Sequence, residues 1–509
     1  MFIALLLSSA LAIGQADSSK AAVVQPPVVS AKGTPTQPET KTLPAEPTTG
    51  ESYRIYEEGR QGFARRFVKA YVDEFRPKEE NGNDQEPARR GLPAPLNSPP
   101  FPMTEWQGFP LIGVPKSTTD YPLMKAIYGG SHGDAIKDTG IKAYGWLNGS
   151  YNWSTSNNSN TPSSYWVVPN RGVINQGVLR IEREMDTVQQ EDMDWGFRST
   201  HMYGIDYRYT YAGGWGERQM TAHNHLYGYD PVEQTFHLYI PHVAQGLILT
   251  VGRWVATPDI ETQLAPDNYT GTHSLLFTVD VYTVTGIMAT VMLNDQWTVQ
   301  AAIHAGADMA PWYVGAVPTG MFGVRWVSKD NRDSFYTVLN AINNANYRYF
   351  ELDGQPAGHH NYNIIQTTWQ HKFNDCVHTK TEAYYMWEHD AAVGGTASLG
   401  GVQFGTGGGI GPTVPGTSQT YGILNYTMFA FSKKDFLTFR NEVMKDENGT
   451  RYGAPGVYSS HSVGWTHWFN QNLLVRPEVG YYRNYNNPVF DNGARKDMWM
   501  GGLDVILRF

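Results

Sequence analysis

From Ile141 onward the chain is a ladder of aromatic-rich runs of about ten residues, divided by connectors that alternate between short and long. The runs predict sixteen strands, at 141–153, 172–185, 194–210, 233–242, 246–257, 284–294, 297–309, 320–329, 333–347, 360–374, 377–391, 420–432, 435–446, 457–469, 472–485 and 496–509. Short connectors are Val243-Ala-Gln-Gly, Asp295-Gln, Lys329-Asp-Asn-Arg-Asp, Asn374-Asp-Cys, Ser432-Lys-Lys-Asp and Phe469-Asn-Gln-Asn; long ones occupy 154–171, 211–232, 258–283, 348–359, 392–419 and 486–495. Short turns at one rim and long loops at the other are the pattern of a transmembrane barrel, and a soluble sandwich has no cause to segregate loop lengths this way. The expected fold class is therefore all-β: a transmembrane antiparallel β-barrel of about 16 strands, preceded by a disordered and helical N-terminal segment.

Alternation within the runs agrees. In 297–305 the apolar set Trp297, Val299, Ala301, Ile303 opposes Thr298, Gln300 and His304, and in 364–373 Ile365, Thr367, Trp369 and Phe373 oppose Gln366, Gln370 and Lys372. The runs 246–257 and 420–432 are apolar on both sets and do not orient. The last run places Trp499, Gly501, Leu503, Val505, Leu507 and Phe509 on one face and Arg508, Asp504, Gly502 and Lys496 on the other, with Ile506, Met500 and Met498 as exceptions. Ending on Phe509, it resembles the closing strand of bacterial outer-membrane barrels, whose terminal aromatic is read by the assembly machinery. It is expected to pair with 144–153 and so remove both sheet edges.

Composition narrows the alternatives. A net charge of −9 without a basic run argues against nucleic-acid binding. No stretch approaches the ~18 apolar residues of a membrane helix, whereas 31 Tyr and 15 Trp suit a barrel with interfacial aromatic belts. Cys376 is alone, which excludes an intramolecular disulfide and a multi-Cys zinc site. Residues 1–16 read as a signal peptide, 17–50 as a disordered Pro-rich linker, 51–77 as an amphipathic helix with Phe63, Phe67, Tyr71 and Phe75 in one stripe, 78–140 as a Pro-rich connector and 141–509 as the barrel.

Four base–acid pairs recur at a spacing of two: Arg180/Glu182, Lys380/Glu382, Arg440/Glu442 and Arg476/Glu478. Each pair shares a strand face, and because a charge facing lipid costs roughly 2–4 kcal/mol near the midplane, that face is the lumen. Opposed charges across a lumen can align dipolar solutes. The plainer alternative is neighbour neutralisation. Glycine-rich 394–401 and 406–411 lack a strand–helix context for nucleotides, and no histidine has metal-ligand spacing, so no catalytic residue, metal or cofactor is expected.

Tyr144-Gly-Trp-Leu-Asn-Gly-Ser-Tyr-Asn-Trp, Leu179-Arg-Ile-Glu-Arg-Glu, Gln263-Leu-Ala-Pro-Asp-Asn, Thr285-Gly-Ile-Met-Ala-Thr, Arg440-Asn-Glu-Val-Met-Lys-Asp-Glu-Asn-Gly-Thr-Arg and Leu474-Val-Arg-Pro-Glu-Val resemble the OmpL-like outer-membrane porin family. The resemblance covers roughly 141–509 and implies a channel in the bacterial outer membrane for passive diffusion of small hydrophilic solutes. Its implied partners are outer-membrane lipid and the barrel-assembly machinery, with homo-oligomers compatible. In general porins the long loop after the fifth strand folds inward, so the resemblance implies that 258–283 narrows the lumen and sets Asp259, Glu261 and Asp267 toward Arg180, Arg198 and Arg253. An ordinary extracellular loop is the alternative. Two other functions stay open: a barrel enzyme using His461, His467 and Ser462, and a secreted glycan-binding β-protein.

Overall fold

The computed structural model describes residues 62–76, 111–256, 260–343, 345–352, 354–359, 361–394 and 411–509. The proposed signal peptide 1–16 and linker 17–50 lie outside them. Sixteen strands close into one antiparallel barrel. They are β1 (Ile141–Ser154), β2 (Gly172–Arg183), β3 (Asp194–Gly204), β4 (Gly228–Ile240), β5 (Leu247–Val255), β6 (Thr283–Met292), β7 (Trp297–His304), β8 (Thr319–Val327), β9 (Asp333–Ile342), β12 (Asn363–Lys372), β13 (Val377–His389), β14 (Thr417–Ala430), β15 (Asp435–Asp446), β16 (Gly456–Asn470), β17 (Leu473–Asn484) and β18 (Asp497–Arg508). A small hairpin, β10 (Arg348–Leu352) with β11 (Gln355–His359), stands in the loop between β9 and β12.

Closure falls between the first and last strands, in register from Trp146↔Arg508 to Ser154↔Met500. Below the Trp146↔Arg508 pair, Phe509 N–H donates to Gly145 O at 2.8 Å and Gly145 N–H to Phe509 O at 2.9 Å. Position 145 has to be glycine. A Cβ there would meet Val178 O at 1.9 Å and the Phe509 ring at 2.8 Å.

Side-chain alternation sorts the wall. Outward positions expose Leu147, Leu179, Val251, Ile287, Ile303, Phe322, Ile423, Val443, Val479 and Leu503. Aromatics gather at both ends of this face. Trp195, Trp297, Phe335, Phe373, Trp465 and Phe469 lie toward the short-turn rim, while Trp153, Tyr203, Tyr229, Tyr385, Tyr421 and Trp499 lie toward the long-loop rim. Rings with one wet edge suit the boundary between hydrocarbon and water. Inward positions are buried, and in β18 they include Met498, Met500 and Ile506 beside Asp504.

Ahead of the barrel stand α1 (Phe63–Asp73), α2 (Pro122–Tyr128) and α3 (Gly133–Asp138). The last two correct the reading of 78–140 as connector throughout. Pro122 occupies the first turn of α2, where its missing N–H costs nothing, and Met124 and Ala126 bury its inner face.

Candidate functional site: the loop-filled lumen

The residues joining β5 to β6 do not leave the barrel. Among the described ones, 260–282 are buried throughout, and they cross the lumen to the far wall. Glu382 of β13 accepts Ile260 N–H at 3.2 Å. Glu442 of β15 accepts the amides of Leu275 and Leu276, both at 2.8 Å, and the Ser460 hydroxyl at 2.8 Å. Glu478 of β17 accepts Thr272 N–H at 2.9 Å. Arg476 donates to the carbonyls of Ala265 and Asn268 at 2.9 and 2.7 Å, and Arg440 to that of Thr272 at 2.9 Å. Irregular backbone can sit at membrane depth when protein groups take over the hydrogen bonds that water would supply, and here wall charges do so.

Apolar packing completes the seat. Tyr269 stacks on Tyr426 with centroids 5.4 Å apart, and Lys380 Nζ lies 4.7 Å from the Tyr269 ring centre. Leu424, Tyr426 and Met428 of β14 pack with Ile260, Leu264, Ala265 and Tyr269. The loop between β1 and β2 also turns inward: Tyr165 OH donates to Gln263 O at 2.8 Å and Ser164 Oγ to Ser274 O at 2.9 Å.

All four base–acid pairs face the lumen and are buried. Their ion pairs run across strands. Glu182 meets Arg198, directly opposite on β3, at 2.8 Å, and Arg476 meets Asp504, directly opposite on β18, at 2.9 Å. Arg180 reaches Glu233 of β4 at 2.8 Å, and Arg440 lies 3.7 Å from Glu478. Opposed residues on neighbouring strands bring their Cβ atoms to about 4.5–5.5 Å, nearer than two positions along one extended strand, so Glu182 and Arg476 take the partner opposite, whereas Arg180 and Arg440 reach past the adjacent strand.

The closed sixteen-stranded barrel with its inward loop has a sequence counterpart. Residues 140–509 match the model of the family described as "Putative beta-barrel porin-2, OmpL-like". The chain belongs to this OmpL-like porin family. It is accordingly an outer-membrane β-barrel, a channel for small solutes; family and fold are those of a channel rather than of an enzyme. Solved structures with a likeness to this porin include an anion-selective porin from Comamonas acidovorans (9% identity, 72% of this chain and 99% of that one, TM-score 0.46) and Pseudomonas putida OprB (12%, 77% and 99%, TM-score 0.46). The outer-membrane channel DcaP of Acinetobacter baumannii is a third (11%, 72% and 97%, TM-score 0.42). No curated protein matches the sequence.

In the porin's lumen the inward loop does not set its acids toward Arg180, Arg198 and Arg253. Glu261 turns back to accept Ser274 N–H at 2.9 Å and the Tyr426 hydroxyl, on the β14 side. Asp267 is buried in a short turn of the loop, and Asp259 lies outside the described residues. The three arginines already have wall partners: Arg253 holds Asp230 through two contacts at 2.7 and 2.9 Å. His461 points outward to Asn441 and His467 to Asp435 near the short-turn rim, whereas Ser462 faces the lumen, so these three do not meet. Glu233, Asp230 and Asp504 are acids that the pair motif missed. Glu233 and Asp230 share β4 and Asp504 lies on β18, and none of the three has a base two residues away, so the motif passes over them.

Proposed function

We propose that the barrel conducts small hydrophilic solutes passively past a constriction made by the connector 258–283, through its described residues 260–282, and the charged wall that holds them. The supporting observation is the seating of this loop on Glu382, Arg440, Glu442, Arg476 and Glu478. Arg180, Glu182, Arg198, Arg253, Glu261, Asp267 and Lys380 are further buried ionisable groups inside the barrel; the three arginines pair with the wall acids Glu233, Glu182 and Asp230, which leaves a fixed field for dipolar solutes rather than a surplus of one sign. Asp259 belongs to the same connection by sequence. The reading assigns no catalytic step: Ser462 faces the lumen while His461 and His467 face outward. Phe509 is the assembly signal, the lipid belt and the assembly machinery are its partners, and side-by-side homo-oligomers fit the same outer face.

Planar-bilayer recording tests the reading. Stepwise conductance that falls as neutral polyols of increasing size are added is the expected result. Folded protein that inserts without conducting would overturn it.

A further inference from the structure

Helix α1 is tied to the periplasmic edge of the closing strand. Residue 508 turns its N–H to Asn472 O at 2.7 Å, on the β17 side of the rim, and the carbonyl of the same residue receives the Tyr71 hydroxyl at 2.7 Å. A second tie runs to α2: Arg66 Nε donates to Ala126 O at 2.9 Å and Lys125 pairs with Glu74. Helix α2 lies beneath the barrel mouth. The Tyr121 ring just ahead of it rests on Tyr144 with centroids 5.1 Å apart, and Tyr128 OH reaches Ile141 O at 2.9 Å.

Successive positions turn by about 100°, so these contacts orient the whole helix. Arg66, Ala70 and Glu74 form the side on α2. Phe67 and Tyr71 come next, and Tyr71 points at the rim. Beyond Tyr71, on the side away from α2 and the mouth, come Ala64, Phe75, Val68 and Val72. Arg65, Arg76 and Lys69 follow. The flank past the rim is apolar and no described residue covers it: Val68 is 59%, Val72 50% and Phe75 54% exposed. Leaving three such side chains in water would forfeit most of their transfer free energy.

We infer that α1 lies on the periplasmic leaflet of the same outer membrane, with Val68, Val72 and Phe75 immersed among acyl chains and Arg65, Lys69 and Arg76 at the phosphates. Tyr71 fixes α1 at the Arg508 carbonyl, on the rim where the barrel's lipid-facing surface ends, so the flank beyond it continues an interface the barrel already makes. An apolar flank bordered by cations is the composition of an interfacial helix, and it favours anionic phospholipid.

Site-directed spin labelling of the full chain tests this. The single native cysteine, Cys376, is replaced (Cys376→Ser), and a nitroxide is placed by Val72→Cys or, separately, by Lys69→Cys. The protein is reconstituted into phosphatidylethanolamine/phosphatidylglycerol vesicles. At position 72 collisions with oxygen should exceed those with a water-soluble nickel chelate several-fold, and at position 69 the order should reverse. Nickel access at 72 equal to that at 69 would place the flank in water and overturn the inference. Shielding of 72 from both reagents would place it under protein, a second copy included, and overturn it equally. Phe75→Cys supplies the measurement should the Val72 variant not fold, with retention of the folded band on unheated gels as the criterion.

Discussion

Replacing Glu442 by alanine should loosen the constriction. Its carboxylate holds two adjacent loop amides, Leu275 and Leu276, both fully buried, together with the Ser460 hydroxyl. Alanine leaves all three donors without their carboxylate acceptor while the loop remains threaded through the lumen. A buried donor left without a partner costs about 1–3 kcal/mol, so the two amides alone lose about 2–6 kcal/mol of seating. At about 1.4 kcal/mol per tenfold, even 2.8 kcal/mol shifts the balance between seated and displaced loop a hundredfold. Arg476 and Glu478 still pin 265–272, so the freed part is the following Leu275–Phe277 turn. Single-channel recording should show larger mean conductance and added current noise. Glu442→Gln, which retains one acceptor oxygen, should fall between. An alanine variant that keeps the folded band on unheated gels yet matches the parent in conductance, noise and selectivity would refute the anchoring argument.

Three further outcomes follow from other parts of the structure. Deleting Phe509 removes the two final ladder bonds to Gly145, each worth about 0.5–1.5 kcal/mol, and the ring over that glycine; the folded fraction after outer-membrane extraction should drop while the conductance of surviving channels stays unchanged. Ile287 is outward and about half exposed near the middle of β6, so Ile287→Arg should cost about 2–4 kcal/mol in urea titrations in lipid, whereas an equal loss from the exposed rim substitution Asp375→Arg would contradict the assigned lipid face. Asp308, in the loop after β7, is raised to about 7 by burial, against the opposing pull of the Thr283 and Tyr282 amides. Its folded form binds the proton more tightly than the unfolded chain does. Its contribution is therefore full in acid, declines as pH climbs from the ordinary carboxylate range toward about 7, and is flat above. Thermal unfolding of Asp308→Asn should lack that decline, and an unchanged pH profile would count against it.

The barrel was legible because lipid imposes one rule on every strand. Outward positions within the hydrocarbon are mostly apolar, so Trp297, Val299, Ala301 and Ile303 announce their face without any knowledge of their neighbours, and all sixteen runs fall on observed strands. No comparable rule governs the inner face. β5 and β14 read as apolar on both sets because Ile248 and Trp254, and Leu424 and Met428, point inward into packed protein rather than water. Met498, Met500 and Ile506 break the alternation of β18 for the same reason. The pattern that reveals a lipid face thus fades wherever the opposite face is filled.

The inner loop was harder still. Residues 260–282 are buried, yet they carry neither the two-residue period of a strand nor the 3.6-residue period of a helix, because their hydrogen bonds go to side chains on β13, β15, β17 and the β1–β2 loop instead of to a regular ladder. The charges that satisfy them were visible, but their use was not. Arg476 serves two purposes: its Nε neutralises Asp504, and an Nη binds two loop carbonyls at once. A guanidinium can do so because its planar fork presents several donors while remaining charged. A lysine at that position would keep the ion pair but has a single nitrogen with which to meet both tasks. The charge spacing that suggested a solute-orienting field therefore encodes first a scaffold that holds irregular backbone at membrane depth, and any field a solute meets is what remains after that scaffold is satisfied.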